Sequence, residues 1–146
     1  KVKVDELYFL ATNGGVTFGG GEPMLRYRFI KEFRKLCGKN WRIYVETSLN
    51  VPQECLYLLL DVVDGYIVDV KDMNPAIYEK YTGKDNKLVL ENLQLLNVEE
   101  RQNDVLLRLP LIPDYNSDID RVLSRKQLEK LGFNRFDEFN YIKNFH

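Results

Sequence analysis

Gly14-Gly15-Val16-Thr17-Phe18-Gly19-Gly20-Gly21-Glu22-Pro23 decides how the rest of this chain is read. A short β-branched and aromatic run enters a triple glycine and leaves through a carboxylate and a proline. Glycine lacks the Cβ that keeps other molecules off the backbone, and it tolerates positive φ. Proline cannot donate to a sheet ladder and suits the first turn of a helix. The stretch therefore reads as strand, bend, helix. Two roles fit the bend: a tight strand-to-helix turn, or a cradle that offers bare N–H and C=O groups to a ligand.

Downstream, Leu25, Phe29, Phe33 and Leu36 recur at helical spacing and predict a helix over 23–37 with one apolar face, ended by Gly38. Arg42 to Thr47 reads as a strand with Ile43 and Val45 on one face. Asn50 and Gln53 have the spacing of a capping box, and Leu56, Leu59, Leu60 and Val63 give the next helix its buried stripe. Tyr66 to Val70 is nearly continuous apolar, as a parallel strand buried on both faces should be. Asn74-Pro75 caps a short helix through Tyr81, which Thr82-Gly83 breaks. A leucine-rich helix over 87–98, a strand over Val105 to Ile112 stopped by Pro113-Asp114, a helix over 119–131 and a strand over Phe136 to Ile142 follow. Residues 1–12 lean towards the end of a helix. Strand and helix alternating without hairpin signals imply right-handed βαβ units and a parallel sheet. About five strands are too few for a closed eight-fold barrel. An open or partial barrel and a doubly wound sheet both remain.

Composition sets the limits. One domain is the natural reading of 146 residues, and a 45% hydrophobic content is enough for a core. The formal net charge of −1 argues against a broad footprint for nucleic acid or an anionic membrane. No apolar run approaches the roughly 20 residues of a membrane span, and no signal peptide is visible, so a cytoplasmic protein is expected. Cys37 and Cys55 fall on predicted helices without metal-like spacing and read as buried thiols in a reducing compartment. The start at Lys1 suggests a fragment.

Glu22, Glu46 and Asp69 each stand at the carboxyl end of a predicted strand, 24 and 23 residues apart, one strand–helix period each. In a parallel α/β fold such positions share the rim where ligands bind. Lys71 lies on the same side of the pleat as Asp69. Arg108 sits inside an apolar strand, where a cation needs a partner. Three carboxylates, two cations and an exposed glycine backbone suit a zwitterionic ligand with an amine and a carboxylate. Bland alternatives stand beside this: Asp69 and Lys71 paired with each other, Arg108 paired with Glu46 or Asp69, and Glu46 an ordinary strand-end carboxylate.

At these positions the chain resembles the radical S-adenosylmethionine activases, which install a glycyl radical, and among them the pyruvate formate-lyase activating enzyme type. The family's pattern is Gly-Gly-Val-Thr-Phe-Ser-Gly-Gly-Glu-Pro, with Gly19 here in place of Ser. Val45-Glu46-Thr47-Ser48 stands for its Asp-Thr-Asn-Gly, Asp69-Val70-Lys71 for its Asp-Leu-Lys, and Tyr81-Thr82-Gly83 for its Thr-Gly element. Leu107-Arg108 and Ile112-Pro113-Asp114-Tyr115-Asn116 stand for its Arg strand and Pro-Gly-x-Asn turn. The resemblance implies a single core domain over 1–146, a partial (β/α)6 TIM-like barrel, open on one side, mostly parallel, with its first strand missing.

It also implies roles. Backbone groups of Gly20, Gly21 and Glu22 would hold the methionine amine of S-adenosylmethionine. Lys71 and Arg108 would face its carboxylate, Ser48 the methionyl or ribose end, and Glu46, Thr47 and Asp69 a monovalent cation. The implied activity is cleavage of S-adenosylmethionine to a 5′-deoxyadenosyl radical that takes a hydrogen atom from a glycine of a partner glycyl radical enzyme. The electron would come from a donor such as flavodoxin or ferredoxin. No side chain here would be an acid, base or nucleophile. The family's [4Fe–4S] cluster is bound by Cys-x-x-x-Cys-x-x-Cys ahead of the glycine motif, and residues 1–13 contain no cysteine. The implied cluster ligands are therefore expected in an N-terminal segment missing here, and the chain alone is expected to show no turnover. A degenerate S-adenosylmethionine-binding domain without activase activity is the alternative, and a phosphate cradle at the glycines is disfavoured by Glu22. His146 is given no role.

Overall fold

Six strands, ordered β1-β2-β3-β4-β5-β6 across one sheet, carry the molecule. The computed structural model describes residues 7–12 and 14–141. The strands are β1 (Leu7–Thr12), β2 (Gly15–Gly20), β3 (Arg42–Thr47), β4 (Gly65–Asp69), β5 (Val105–Leu111) and β6 (Phe136–Asn140). From β2 to β6 every neighbouring pair is parallel. Each is reached by a crossover through α1 (Tyr27–Cys37), α2 (Gln53–Tyr57), α3 (Pro75–Thr82) with α4 (Lys87–Val98), or α5 (Asp118–Lys130). This is the open, mostly parallel α/β sheet expected from the alternation.

The first strand departs from expectation. Residues 7–12 form a strand, not a helix end, and pair antiparallel with β2, Leu7 opposite Gly20 and Thr12 opposite Gly15. Residues 1–6, and with them Lys1, lie outside the described residues, as do Ile142 and His146. The Tyr8-Phe9-Leu10 run carries no helical period, and a ladder across from β2 satisfies its backbone without one.

One sheet face is dry. Phe18, Val45, Val68 and Leu107 are fully buried beneath the helices. Register sets Phe18 beside Val45 and Val68 beside Leu107. Ile67, Asp69 and Arg108 alternate with them and point to the other face, because successive side chains leave a strand on opposite sides.

Local signals held unevenly. Asn74 caps α3, its side chain accepting from the backbone of Ala76 and Ile77, and Gly83 ends that helix at φ 77°. The capping box expected at Asn50 and Gln53 is absent. Pro52 precedes α2, and the Asn50 amide instead donates to the Tyr78 hydroxyl and the Asp85 carbonyl. A capping box does open α5, between Ser117 and Asp120. The helix expected over 23–37 begins as a 3-10 turn, Pro23–Arg26, with Glu22 as its cap. Its apolar positions do not all face in: Ile30 is fully buried and Phe33 packs on the core, while Leu25, Phe29 and Leu36 are exposed.

Candidate functional site

The carboxyl ends of β2 to β5 surround a cavity of about 560 Å³ lined by Gly20, Gly21, Glu22, Pro23, Glu46, Thr47, Ser48, Ile67, Asp69, Lys71 and Arg108. All nine residues singled out from the sequence for ligand or cation contact lie in this one space. Three crossovers bring them there, because parallel strands present all their carboxyl ends to one rim.

Glu22 locks the glycine bend to the end of β3. One carboxylate oxygen accepts from Thr47 Oγ1 at 2.8 Å and from the Met24 amide at 3.2 Å. The other accepts from the Ser48 amide at 2.9 Å and from Ser48 Oγ at 2.8 Å. Four bonds to an ionised acceptor make a strong joint. They also spend the Glu22 side chain inside the protein, so the bend can serve a ligand through its backbone. At Gly20 φ is 97°, a conformation that an L side chain rarely adopts.

Just beyond, Leu49 is fully buried with φ at 60°. A bulky residue holds that conformation only when its surroundings impose it. Its amide donates to Thr47 Oγ1 at 3.0 Å, and its carbonyl accepts from Asn92 Nδ2 at 2.8 Å. The same Asn92 nitrogen donates to the Val51 carbonyl at 2.9 Å. Asn92, buried on α4, thus holds the loop that carries Ser48.

Lys71 pairs with Asp69, one of the two readings open from the sequence. Lys71 also donates to the Tyr141 hydroxyl at 2.7 Å, and that hydroxyl donates to Asp69 Oδ2 at 3.2 Å. Burial alone would lower the Lys71 pKa. The bond and charge of Asp69, with the Tyr141 bond added, outweigh it and hold the ammonium above its ordinary value. Burial raises the Tyr141 phenol as well, against the pull of Lys71. Asp69 Oδ1 is sealed from solvent and has no hydrogen-bond partner.

Arg108 pairs with Asp137. Register sets it between Asp69 and Asp137. Its Nε meets Asp137 at 3.2 Å, and its guanidinium lies 4.3 Å from the Phe139 ring centroid. Asp137 and Phe139 escaped the sequence reading, as did the contact of Tyr141 with Lys71. The three residues alternate on β6 and just past it, so the parity of that strand was the available signal. Glu46 lines the cavity and is not isolated there.

The thiols stand apart from this site. Cys37 and Cys55 are both free, and neither lines the cavity. Cys55 is buried as expected, which pushes its thiol pKa up, whereas Cys37 is only half-buried. Two cysteines cannot supply the three thiolates of the family's cluster motif, so these residues do not fit an iron–sulfur cluster. Among the described residues no group of three His, Cys, Asp or Glu side chains could hold a metal ion, and no helix is long and apolar enough to cross a membrane.

The sequence pattern of the Radical SAM superfamily matches residues 3–125. The chain is 33% identical to the (2S)-3-sulfopropanediol dehydratase activating enzyme of Klebsiella oxytoca, over 97% of this chain and 48% of that protein. It is 32% identical to the 4-hydroxyphenylacetate decarboxylase activating enzyme of Clostridioides difficile strain CD196, over 90% of this chain and 45% of that protein. The chain thus spans about half the length of the curated relatives it matches. Among solved structures, a domain of a pyruvate-formate lyase-activating enzyme from Bacteroides vulgatus superposes with a TM-score of 0.61 at 19% identity, over 86% of this chain and 99% of that one. At that identity the likeness speaks for the fold.

Proposed function

We propose that this chain, which belongs to the radical SAM superfamily, is the S-adenosylmethionine-binding core of an enzyme that installs a glycyl radical on a partner enzyme. The observation that carries the proposal is the meeting, in one cavity, of a bare glycine backbone with the cations Lys71 and Arg108. The methionine part of S-adenosylmethionine has an amine for the first and a carboxylate for the second. The two similar proteins named above are each called activating enzymes of another enzyme.

Each residue has a holding task. Carbonyl groups along Gly20–Glu22 accept from the amine. Lys71 and Arg108 face the carboxylate with charge-assisted bonds. A ligand carboxylate competes with Asp69 for Lys71 and with Asp137 for Arg108, so binding exchanges internal ion pairs for external ones. Ser48 Oγ donates to Glu22 and accepts from the Asn50 amide, which leaves one lone pair for the methionyl or ribose end. The partnerless Asp69 Oδ1, with Glu46 and Thr47 at the same wall, supports a monovalent cation beside the carboxylate. When bound, S-adenosylmethionine supplies the radical chemistry, and the protein supplies orientation and water exclusion. The reading includes two protein partners, a glycyl radical enzyme and a one-electron donor such as flavodoxin or ferredoxin.

Calorimetric titration of the chain with S-adenosylmethionine tests this. Lys71→Ala and Arg108→Ala are each expected to weaken binding about tenfold or more, about 1.4 kcal/mol. Wild-type affinity in both variants, or no binding by the wild type, would overturn it.

A further inference from the structure

Lys71 stands just past the end of its strand, while the strand beside it runs on. β4 ends at Asp69, opposite Arg108, and the Val70 amide adds a bond to the Arg108 carbonyl at 3.0 Å. β5 continues to Leu111. The register of the sheet therefore fixes Arg108, but the distance between it and Lys71 depends on what ties the chain beyond Val70 to β5.

Asn116 supplies that tie. Its Oδ1 accepts from the Ile112 amide at 2.7 Å, and its Nδ2 donates to the Pro110 carbonyl at 3.1 Å. The same Nδ2 donates to Asp72 Oδ2 at 3.2 Å and approaches the Lys71 carbonyl at 3.5 Å. One side-chain amide thus joins the end of β5 to the main chain at Lys71. The turn that carries it is closed by the Tyr115 and Asn116 amides, which both donate to the Ile112 carbonyl. Tyr115 meets Tyr81 edge-on with ring centroids 4.8 Å apart, and the Tyr81 ring lies 6.0 Å from Lys71 Nζ. The turn therefore reaches the side chain of Lys71 as well as its backbone.

Asp72 decides which way the Asn116 amide points. It is 2% exposed and is held by three neutral donors. Oδ1 accepts from the Asn74 amide at 2.9 Å and from Ser124 Oγ at 3.2 Å, and Oδ2 accepts from Asn116. An ionised carboxylate can only accept, so it admits the NH2 end of Asn116 and leaves the oxygen to Ile112. Burying a carboxylate costs more than burying a neutral group of the same shape. An anchor for a turn does not call for one, whereas a fixed orientation of Asn116 does.

We infer that Asn116, oriented by Asp72, is a positioning residue that sets the spacing between Lys71 and Arg108 at which a ligand carboxylate is gripped. The inference rests on the functional reading above, which gives both cations to one carboxylate. Lys71 and Arg108 line the cavity, whereas Asn116 and Asp72 stand behind it. Their effect on a ligand therefore passes through the two cations.

Calorimetric titration of the chain with S-adenosylmethionine, run as a double-mutant cycle, tests this. Asn116→Ala is expected to weaken binding about tenfold in the wild-type background, and by less than about twofold on top of Lys71→Ala, because a single remaining cation has no spacing to hold. General damage to the fold would weaken both backgrounds alike. Asp72→Asn keeps the shape but turns an NH2 group towards one of the three donors, and it should follow the same pattern in the same cycle. Circular dichroism checks that each variant folds. If neither Asn116→Ala nor Asp72→Asn folds, the network is a folding element and the positioning role falls. Wild-type affinity in both variants, or equal losses in both backgrounds, overturns the role while the functional reading stands. Absence of binding by the wild type brings down that reading and this inference with it.

Discussion

Lys71 and Tyr141, 70 residues apart, share a 2.7 Å hydrogen bond that ties the end of β4 to the residue just past β6. The same ammonium pairs with Asp69, and the tyrosine hydroxyl closes the triangle by donating to Asp69. Lys71 is thus held by the protein's own groups in the cavity where the proposal needs it for a carboxylate. Tyr141→Phe keeps the ring and removes the hydroxyl. Stability is expected to fall by about 1 kcal/mol. Lys71 then has one internal partner fewer, and S-adenosylmethionine affinity is expected to hold or rise. A calorimetric loss of tenfold would make Tyr141 a direct contact.

Glu22 is the joint between the bend and β3, with four short bonds to Thr47, Ser48 and Met24. Glu22→Ala leaves the Thr47 hydroxyl and the Ser48 amide without that acceptor. A loss of about 2–4 kcal/mol is expected in urea unfolding, larger than for an exposed carboxylate. Glu22→Gln keeps the shape and lacks the charge, so it should cost less.

Asn92 is expected to matter out of proportion to its distance from the cavity. Asn92→Leu fills the same space but abandons the Leu49 and Val51 carbonyls. Roughly 2–3 kcal/mol of destabilisation is expected. Faster amide hydrogen exchange should appear over residues 48–52, and an exchange pattern unchanged there would refute the holding role.

Alkaline titration should find Tyr66 late. Burial pushes its phenol up to about 12 despite the nearby Arg101 guanidinium. For a group whose pKa is raised by folding, the folded state retains its proton longer than the unfolded one. Stability is then flat below about pH 10 and falls as pH climbs from there towards about 12. The raised Lys71 and Tyr141 values have the same sign. Ultraviolet phenolate absorbance with parallel melting curves checks this, and tyrosines that all titrate near 10 in the folded chain would contradict it.

The strand–helix alternation was legible residue by residue, because burial between layers writes its period into the side chains. Tyr66–Val70 reads as a strand, although only one of its faces is covered and Ile67 and Asp69 line the open cavity on the other, and Asn74 and Gly83 punctuate α3 by local backbone chemistry alone. The cavity was legible for the same reason, since strand ends one period apart share a rim. Failures began where a choice depended on what lay across the fold. The spacing of Leu25, Phe29, Phe33 and Leu36 announced an apolar stripe, but only Phe33 of these packed on the core, beside the unannounced Ile30, while the other three stayed exposed. Asn50 had the spacing of a cap and was taken by Tyr78 and Asp85.

What this sequence determines by itself is therefore periodic or local: the order of elements, the glycine bend, and which residues stand at strand ends. Partner choice belonged to the tertiary structure. Arg108 met Asp137 and Phe139, Glu22 turned inward onto Thr47 and Ser48, and Tyr141 closed on Lys71. Charged and polar groups bind whatever complementary group the packed backbone brings within about 3 Å. That neighbour comes from another strand or helix, at a sequence distance no period encodes.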